Sequence, residues 1–177
     1  MTRIVEVVPH NPNWFSAFEN ESKQVAVTLG HNIVAIHHIG STAIPTIYAK
    51  PIIDLLIEVK EIARVDERNS AMQVLGYEIM DEFGISGRRF FRKDNEAGIR
   101  THHIHAFEIS SAQVERHLTF RNYMIANAED AQKYSELKQE LARKYPNNIE
   151  AYMDGKDEFI KEMDKKAAEW KIRSSKP

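Results

Sequence analysis

Residues 37–59 read HHIGSTAIPTIYAKPIIDLLIEV, and this stretch decides the fold. An apolar, β-branched run ends at Gly40-Ser41, and about a dozen residues later a second apolar run carries one aspartate, Asp54. The first run, from Asn32 to Ile39, reads as a strand bounded by a turn pair. STAIPTIYA, 41–49, reads as a short helical turn. KPIIDLLIEV, 50–59, reads as the next strand, with Pro51 tolerated near its start. Side chains alternate along a strand, so Ile53, Leu55, Ile57 and Val59 form one apolar face, while Ile52, Asp54, Leu56 and Glu58 share the other.

Upstream, Asn11-Pro12-Asn13 is expected to cap a helix carrying Trp14, Phe15, Phe18, Val25 and Leu29 and closing at Gly30. Downstream, residues 61–75 resume a helical pattern up to Gly76. YEIM, GRRFFRKD and THHIHAFEI then read as strands, the last two as a hairpin through Asn95-Glu96-Ala97-Gly98. Beyond Ser110-Ser111 the pattern is helical, in two stripes separated by Pro146. The first holds Leu118, Tyr123, Ala126, Tyr134, Leu137 and Leu141, the second Tyr152, Phe159, Ile160, Met163, Ala167 and Trp170. This order predicts an α+β fold: a mixed sheet, helices packed on one face, and a C-terminal helical extension.

In THHIHAFEI, alternation puts Thr101, His103, His105 and Phe107 on one face and Ile104 and Ala106 on the other. If the two strands are neighbours, Asp54, His103 and His105 converge. Two imidazoles and a carboxylate suit a divalent transition metal, or acid-base work. A hydrogen-bonded pair of strand histidines is the alternative. A carboxylate inside an apolar strand costs several kcal/mol if buried unpaired, so Asp54 is expected to be paired or to face a ligand. If it serves a ligand, Asp54→Asn is expected to leave folding nearly unchanged or improve it. Glu58 is expected in solvent near the strand end. Gly40-Ser41 admits a closely approaching ligand, and the Ser41 and Thr42 hydroxyls with adjacent amides suit phosphate oxygens.

The chain has 177 residues, 42% hydrophobic and 28% charged, enough for one compact domain, expected over 1–172 with a flexible tail at 173–177. Without cysteine there is no disulfide scaffold, thiol nucleophile or thiolate metal site. No leader-like start and no apolar run of about 18 residues is read, so a membrane partner is not expected and the expected location is the cytoplasm. A net charge of −2 argues against long nucleic acid as a partner. A local basic run remains: Arg88, Arg89, Arg92, Lys93 and Arg100, readable as a solvated hairpin or as an anion site.

Strand, Gly-Ser, short helix and an acid on the next strand resemble the signature of the nucleotidyltransferase superfamily. More closely, HIGSTAIPTIYAKPIIDLLIEV, GRRFFRKD, THHIHAFE, RHLTFRNYM and YSELKQELARKY together resemble the GrpB family, over nearly the whole chain. The resemblance implies a nucleotidyltransferase-like fold, in which the Gly-Ser element holds a nucleotide and two acids one residue apart bind magnesium. Gly40, Ser41 and Asp54 match that pattern. Leu56 stands where the second acid should be, and one carboxylate cannot assemble a two-metal site.

The expectation drawn from these residues is a metal-dependent nucleotidyl- or phosphoryl-transferase acting on a small acceptor. Asp54, His103 and His105 would serve as catalytic groups or ligands of magnesium or a transition metal. Gly40, Ser41, Thr42, Lys50, Arg88, Arg92 and Arg121 would contact the nucleotide or phosphorylated small molecule. Two other classes stand beside it: a binding protein that lost turnover with the second acid, and an interaction protein docking a partner on its C-terminal helical stripes.

Overall fold

The computed structural model describes residues 4–175. These group into two compact units. One comprises Pro12–Gly40 and Ile52–Glu115, and the other comprises the chain up to Asn11, Ser41–Pro51, and Arg116 onward.

The first unit is built on a five-stranded mixed sheet. Its strands are β1 (Ile33–Ile39), β2 (Ile53–Val59), β3 (Tyr77–Ile79), β4 (Arg89–Asp94) and β5 (Arg100–Glu108), in the order β1-β2-β5-β4-β3. β2 and β5 run parallel, and every other neighbouring pair is antiparallel. The central position of β2 explains its composition: Ile53, Leu55, Ile57 and Val59 are at most 4% exposed, and Leu56 on the opposite face is also fully buried. A strand covered on both faces reads as a near-continuous apolar run, which makes Asp54 an exception that its surroundings must justify.

Helix α1 (Asn13–Leu29) packs on β1 and β2 through Val25 and Leu29, each contributing about 1.5–3 kcal/mol of apolar burial. Its start falls within the expected Asn11-Pro12-Asn13 segment. Pro12 occupies the cap position, where it makes no side-chain capping bond, and its restricted φ suits the entry to the helix. His38 also faces this helix, stacked on Phe18 at 4.8 Å between ring centroids, so it is a core residue. The single helix expected over 61–75 is two, α2 (Ile62–Asp66) and α3 (Asn69–Val74).

The second unit is helical. Beside most of α4 (Ala112–Ala126) stand α5 (Ala128–Lys144) and α6 (Ile149–Ser174). One core gathers Ile44, Ile47, Tyr123, Met124, Tyr134 and Met163, and a smaller one gathers Val5, Leu141 and Tyr152. α5 and α6 approach closely at Gly155, where a β-carbon would stand 2.5 Å from Leu141 Cδ2. The segment 41–51 enters this unit through Ile44 and Ile47 and an isolated bridge between Val8 and Ala49. Of the tail expected at 173–177, Arg173 and Ser174 continue α6, and 176–177 lie outside the described residues. No helix among the described residues is long and apolar enough to cross a membrane.

Candidate metal centre on the sheet face

The parallel register of β2 and β5 sets Asp54 beside His103 and Leu56 beside His105. Neighbouring strands turn register partners to the same face, so the alternation of each strand becomes convergence in space. His105 Nε2 lies 3.2 Å from Asp54 Oδ1, and His103 Nδ1 lies 3.4 Å from the same oxygen. One potential ligand atom from each of these three residues lies within 4.8 Å of the other two.

β4 supplies the rest of the face. Phe90 pairs with His105 and Arg92 with His103 in the antiparallel register. The Phe90 ring stands 5.2 Å from the His105 ring and 5.3 Å from the His103 ring, forming an aromatic wall beside both. Arg88 lies over the same ring at 4.7 Å, is 7% exposed, and reaches His105 Nδ1 with Nη1 at 3.3 Å. Its other donors go to the Phe83 and Glu82 carbonyls at 2.8 and 3.2 Å. Burial holds the Arg88 pKa below its ordinary value. On the other imidazole, Arg100 Nη1 reaches His103 Nε2 at 3.4 Å.

The pKa of Asp54 is set by a contest. Burial pushes it up, but hydrogen bonds and charge from His103 and His105 outweigh burial and hold it well below the usual carboxylate range. These partners favour the ionised carboxylate, so Asp54→Asn is expected to cost stability. Its other oxygen explains Gly40. That glycine has φ +74°, and a β-carbon there would stand 2.5 Å from Asp54 Oδ2. Only glycine combines this backbone with this approach.

The remaining sequence-derived residues divide clearly. Arg92 shares the Asp54 face but forks onto Glu78, at 2.8 and 3.2 Å. Ser41, Thr42, Lys50 and Arg121 belong to the helical unit. Ser41 opens a three-residue 3-10 turn, Ser41–Ala43, too short to carry a helix macrodipole, and Thr42 is 1% exposed. Lys50 Nζ lies 5.3 Å from the Tyr152 ring and donates to Met153 Sδ. Arg121 donates to Asn122 Oδ1, and burial lowers its pKa. Glu58, expected in solvent, is half-buried and accepts a 2.7 Å hydrogen bond from His37 Nε2. Residue types and spacing put Arg100 in the basic run without setting it beside His103, and left Phe90 out of the site. The signal that could have found them is the hairpin register, which returns GRRFFRKD alongside THHIHAF.

The donor set tests the metal expectation directly. Ligand atoms around a tetrahedral ion with bonds of about 2.0–2.1 Å stand about 3.3–3.4 Å apart; the two oxygen–nitrogen separations here are 3.2 and 3.4 Å, and all three atoms lie within 4.8 Å of one another. One carboxylate and two imidazoles suit a single zinc-like or cobalt-like ion. The magnesium pair implied by the nucleotidyltransferase resemblance does not fit, because Leu56 is fully buried at the second acid position and Glu58 is engaged by His37.

Comparison with known proteins agrees with this architecture. The chain is 44% identical to the UPF0157 protein YqkA of Bacillus subtilis over 169 residues, 96% of this chain and 49% of that protein. It therefore spans about half the length of that relative. It is 35% identical to the glutamate-rich protein GrpB of Alkalihalophilus pseudofirmus, over 90% of this chain and 93% of the relative. The crystal structure of the conserved protein GrpB from Enterococcus faecalis superposes with a TM-score of 0.90 at 42% identity, covering 94% of this chain and 99% of that one. The GrpB protein family model matches residues 4–166, and the chain belongs to the GrpB family.

Proposed function

We propose that this protein binds a phosphorylated small molecule, of which a nucleotide is one form, beside a single divalent transition metal held by Asp54, His103 and His105. The observation that carries this reading is the meeting of those three ligand atoms with two guanidinium groups, Arg88 and Arg100, on one sheet face. Bound there, such a metal supplies positive charge against phosphoryl oxygens. The protein's residues do the remaining work. Asp54 fixes both rings through one oxygen, Phe90 holds them apart from water on one side, and the arginines offer forked donors that match phosphate geometry. Gly40 leaves room for the Asp54 carboxylate.

Nucleotidyl transfer, the sequence expectation, finds less support than binding. It draws on two acids across adjacent same-face positions of β2, and this strand offers one. Phosphoryl transfer would use the same residues, with Asp54, His103 and His105 as ligands of one metal and the arginines set against the charge of the transferred group.

Calorimetric and thermal-shift titration with Co²⁺, Zn²⁺, Mn²⁺ and Mg²⁺ tests the reading. One equivalent of Co²⁺ or Zn²⁺ is expected to bind and raise Tm, since ligand at 100 times Kd adds about 2.7 kcal/mol of stability. Nucleoside triphosphates and sugar phosphates would follow in the presence of metal, with product analysis to detect transfer. Failure of every metal to bind with or without a phosphoryl oxyanion, or equal binding by Asp54→Asn, would remove the basis for the site.

A further inference from the structure

A guanidinium carries N–H donors and no acceptor, so any nitrogen that hydrogen-bonds to it must present a lone pair. Arg88 Nη1 addresses His105 Nδ1, and Arg100 Nη1 addresses His103 Nε2. A neutral imidazole then carries its one proton on the other nitrogen. Those nitrogens, His105 Nε2 and His103 Nδ1, are the two that face Asp54 Oδ1. Each ring thus accepts from an arginine behind it and turns its protonated nitrogen to the carboxylate in front, His105 at 3.2 Å and His103 at 3.4 Å. A metal ligand needs a lone pair, and in this arrangement neither front nitrogen has one. Turning them into ligands moves both ring protons to the rear, where each would meet a guanidinium N–H, donor against donor.

Resting on the metal-site reading above, we propose that Arg88 and Arg100 hold both imidazoles in a tautomeric state closed to metals, and that a phosphoryl oxyanion opens the site by taking the guanidinium donors. Divalent metal and oxyanion then bind with positive coupling, each tightening the other by the same factor. An oxyanion is the right competitor because phosphate oxygens accept two parallel N–H bonds from one guanidinium, against one from an imidazole nitrogen. The two latches differ in stiffness. Arg88 is pinned by two backbone carbonyls and the Phe90 ring, while Arg100, at the first position of β5, is tied besides His103 to Asp94 Oδ1 at 2.5 Å. Arg100, with one anchor besides the ring against three for Arg88, is the latch tested first.

Two measurements test this. In the metal-free protein, long-range ¹H–¹⁵N imidazole correlations should show His103 protonated on Nδ1 and His105 on Nε2. Co²⁺ titrations of the wild type, Arg100→Met and Arg88→Met, with and without methylphosphonate, read the coupling. Methylphosphonate should tighten Co²⁺ binding by about tenfold or more in the wild type. Arg100→Met should bind Co²⁺ about tenfold more tightly without methylphosphonate and lose most of the coupling. Should Arg88→Met fold poorly, Arg100→Met carries the test alone. Ring protons on the arginine-facing nitrogens would overturn the latch, as would wild-type Co²⁺ affinity in Arg100→Met or equal Co²⁺ affinity with and without methylphosphonate. Absence of Co²⁺ binding in every form would defeat the metal-site reading itself, and the metal-free tautomers distinguish that failure from failure of the latch.

Discussion

Two carboxylates stand among histidines on opposite faces of the same sheet, and their partners differ in kind. On the α1 side, Glu21 accepts from Tyr77 Oη and Lys93 Nζ, each at 3.0 Å, with His102 Nε2 at 3.7 Å. On the other side, Asp54 accepts from His105 Nε2 at 3.2 Å, with His103 Nδ1 at 3.4 Å and with Arg88 and Arg100 one ring further away. Adjacent residues of β5, His102 and His103, thus serve opposite clusters. A permanent ammonium touches Glu21, so its charge is balanced in place and the cluster is closed. Asp54 is met by rings whose protons can move between their nitrogens, with the guanidinium charges one ring further away. The first arrangement fixes a core, and the second leaves a carboxylate and, once the ring protons move to the rear, two nitrogens that can hold a different cation. The Glu21 side chain is 8% exposed and that of Asp54 21%, consistent with this division.

The largest effect is expected at the closed cluster. Glu21→Gln leaves the Lys93 ammonium without its carboxylate and should cost about 3 kcal/mol in denaturant unfolding while leaving Co²⁺ affinity unchanged. A loss of metal binding in this variant would erase the distinction between the two faces. Gly40→Ala comes next. Its β-carbon overlaps Asp54 Oδ2 on a left-handed backbone, so about 2 kcal/mol is expected together with weakened Co²⁺ binding.

Asp54→Asn should cost less, about 1–2 kcal/mol at pH 7. This revises the sequence expectation of a neutral or stabilising change, because the carboxylate is hydrogen-bonded by two rings. The sign with pH follows from its depressed pKa: the stabilisation stands above the ordinary aspartate pKa of about 3.9 and is lost as pH falls below it. Urea unfolding of wild type and variant should therefore converge in acid. A gap that persists unchanged at pH 3 would mean the variant acts through packing. The smallest effect belongs to the exposed Glu61–Arg64 pair, both more than half exposed, where Arg64→Ala should stay below about 0.5 kcal/mol.

Much of this was readable from residue order. The alternation of β2 and β5 separates Asp54, His103 and His105 from Ile53, Leu55, Ile57, Ile104 and Ala106, and the structure keeps that separation. The helical stripes Tyr123, Tyr134 and Leu141, then Phe159, Met163 and Ala167, do form cores, with a break at Asn127 between α4 and α5 that no proline or glycine marks. What residue order could not supply is partnership across strands. Glu58 looks like a solvent acid until β1 places His37 against it. Arg100 looks like one charge in a basic run until the hairpin returns it to His103. Tautomers lie one step further, since they depend on which donor reaches the back of each ring.

The most direct test of the central claim is a Co²⁺ titration of the wild type, His103→Ala and Asp54→Asn, each shown to be folded, followed by visible absorption and calorimetry. The account predicts one equivalent bound by the wild type with the intense bands of a low-coordinate nitrogen and oxygen site, and binding weakened at least tenfold in both variants. Equal Co²⁺ affinity in all three, or none in the wild type with or without phosphate-type oxyanions, would contradict it.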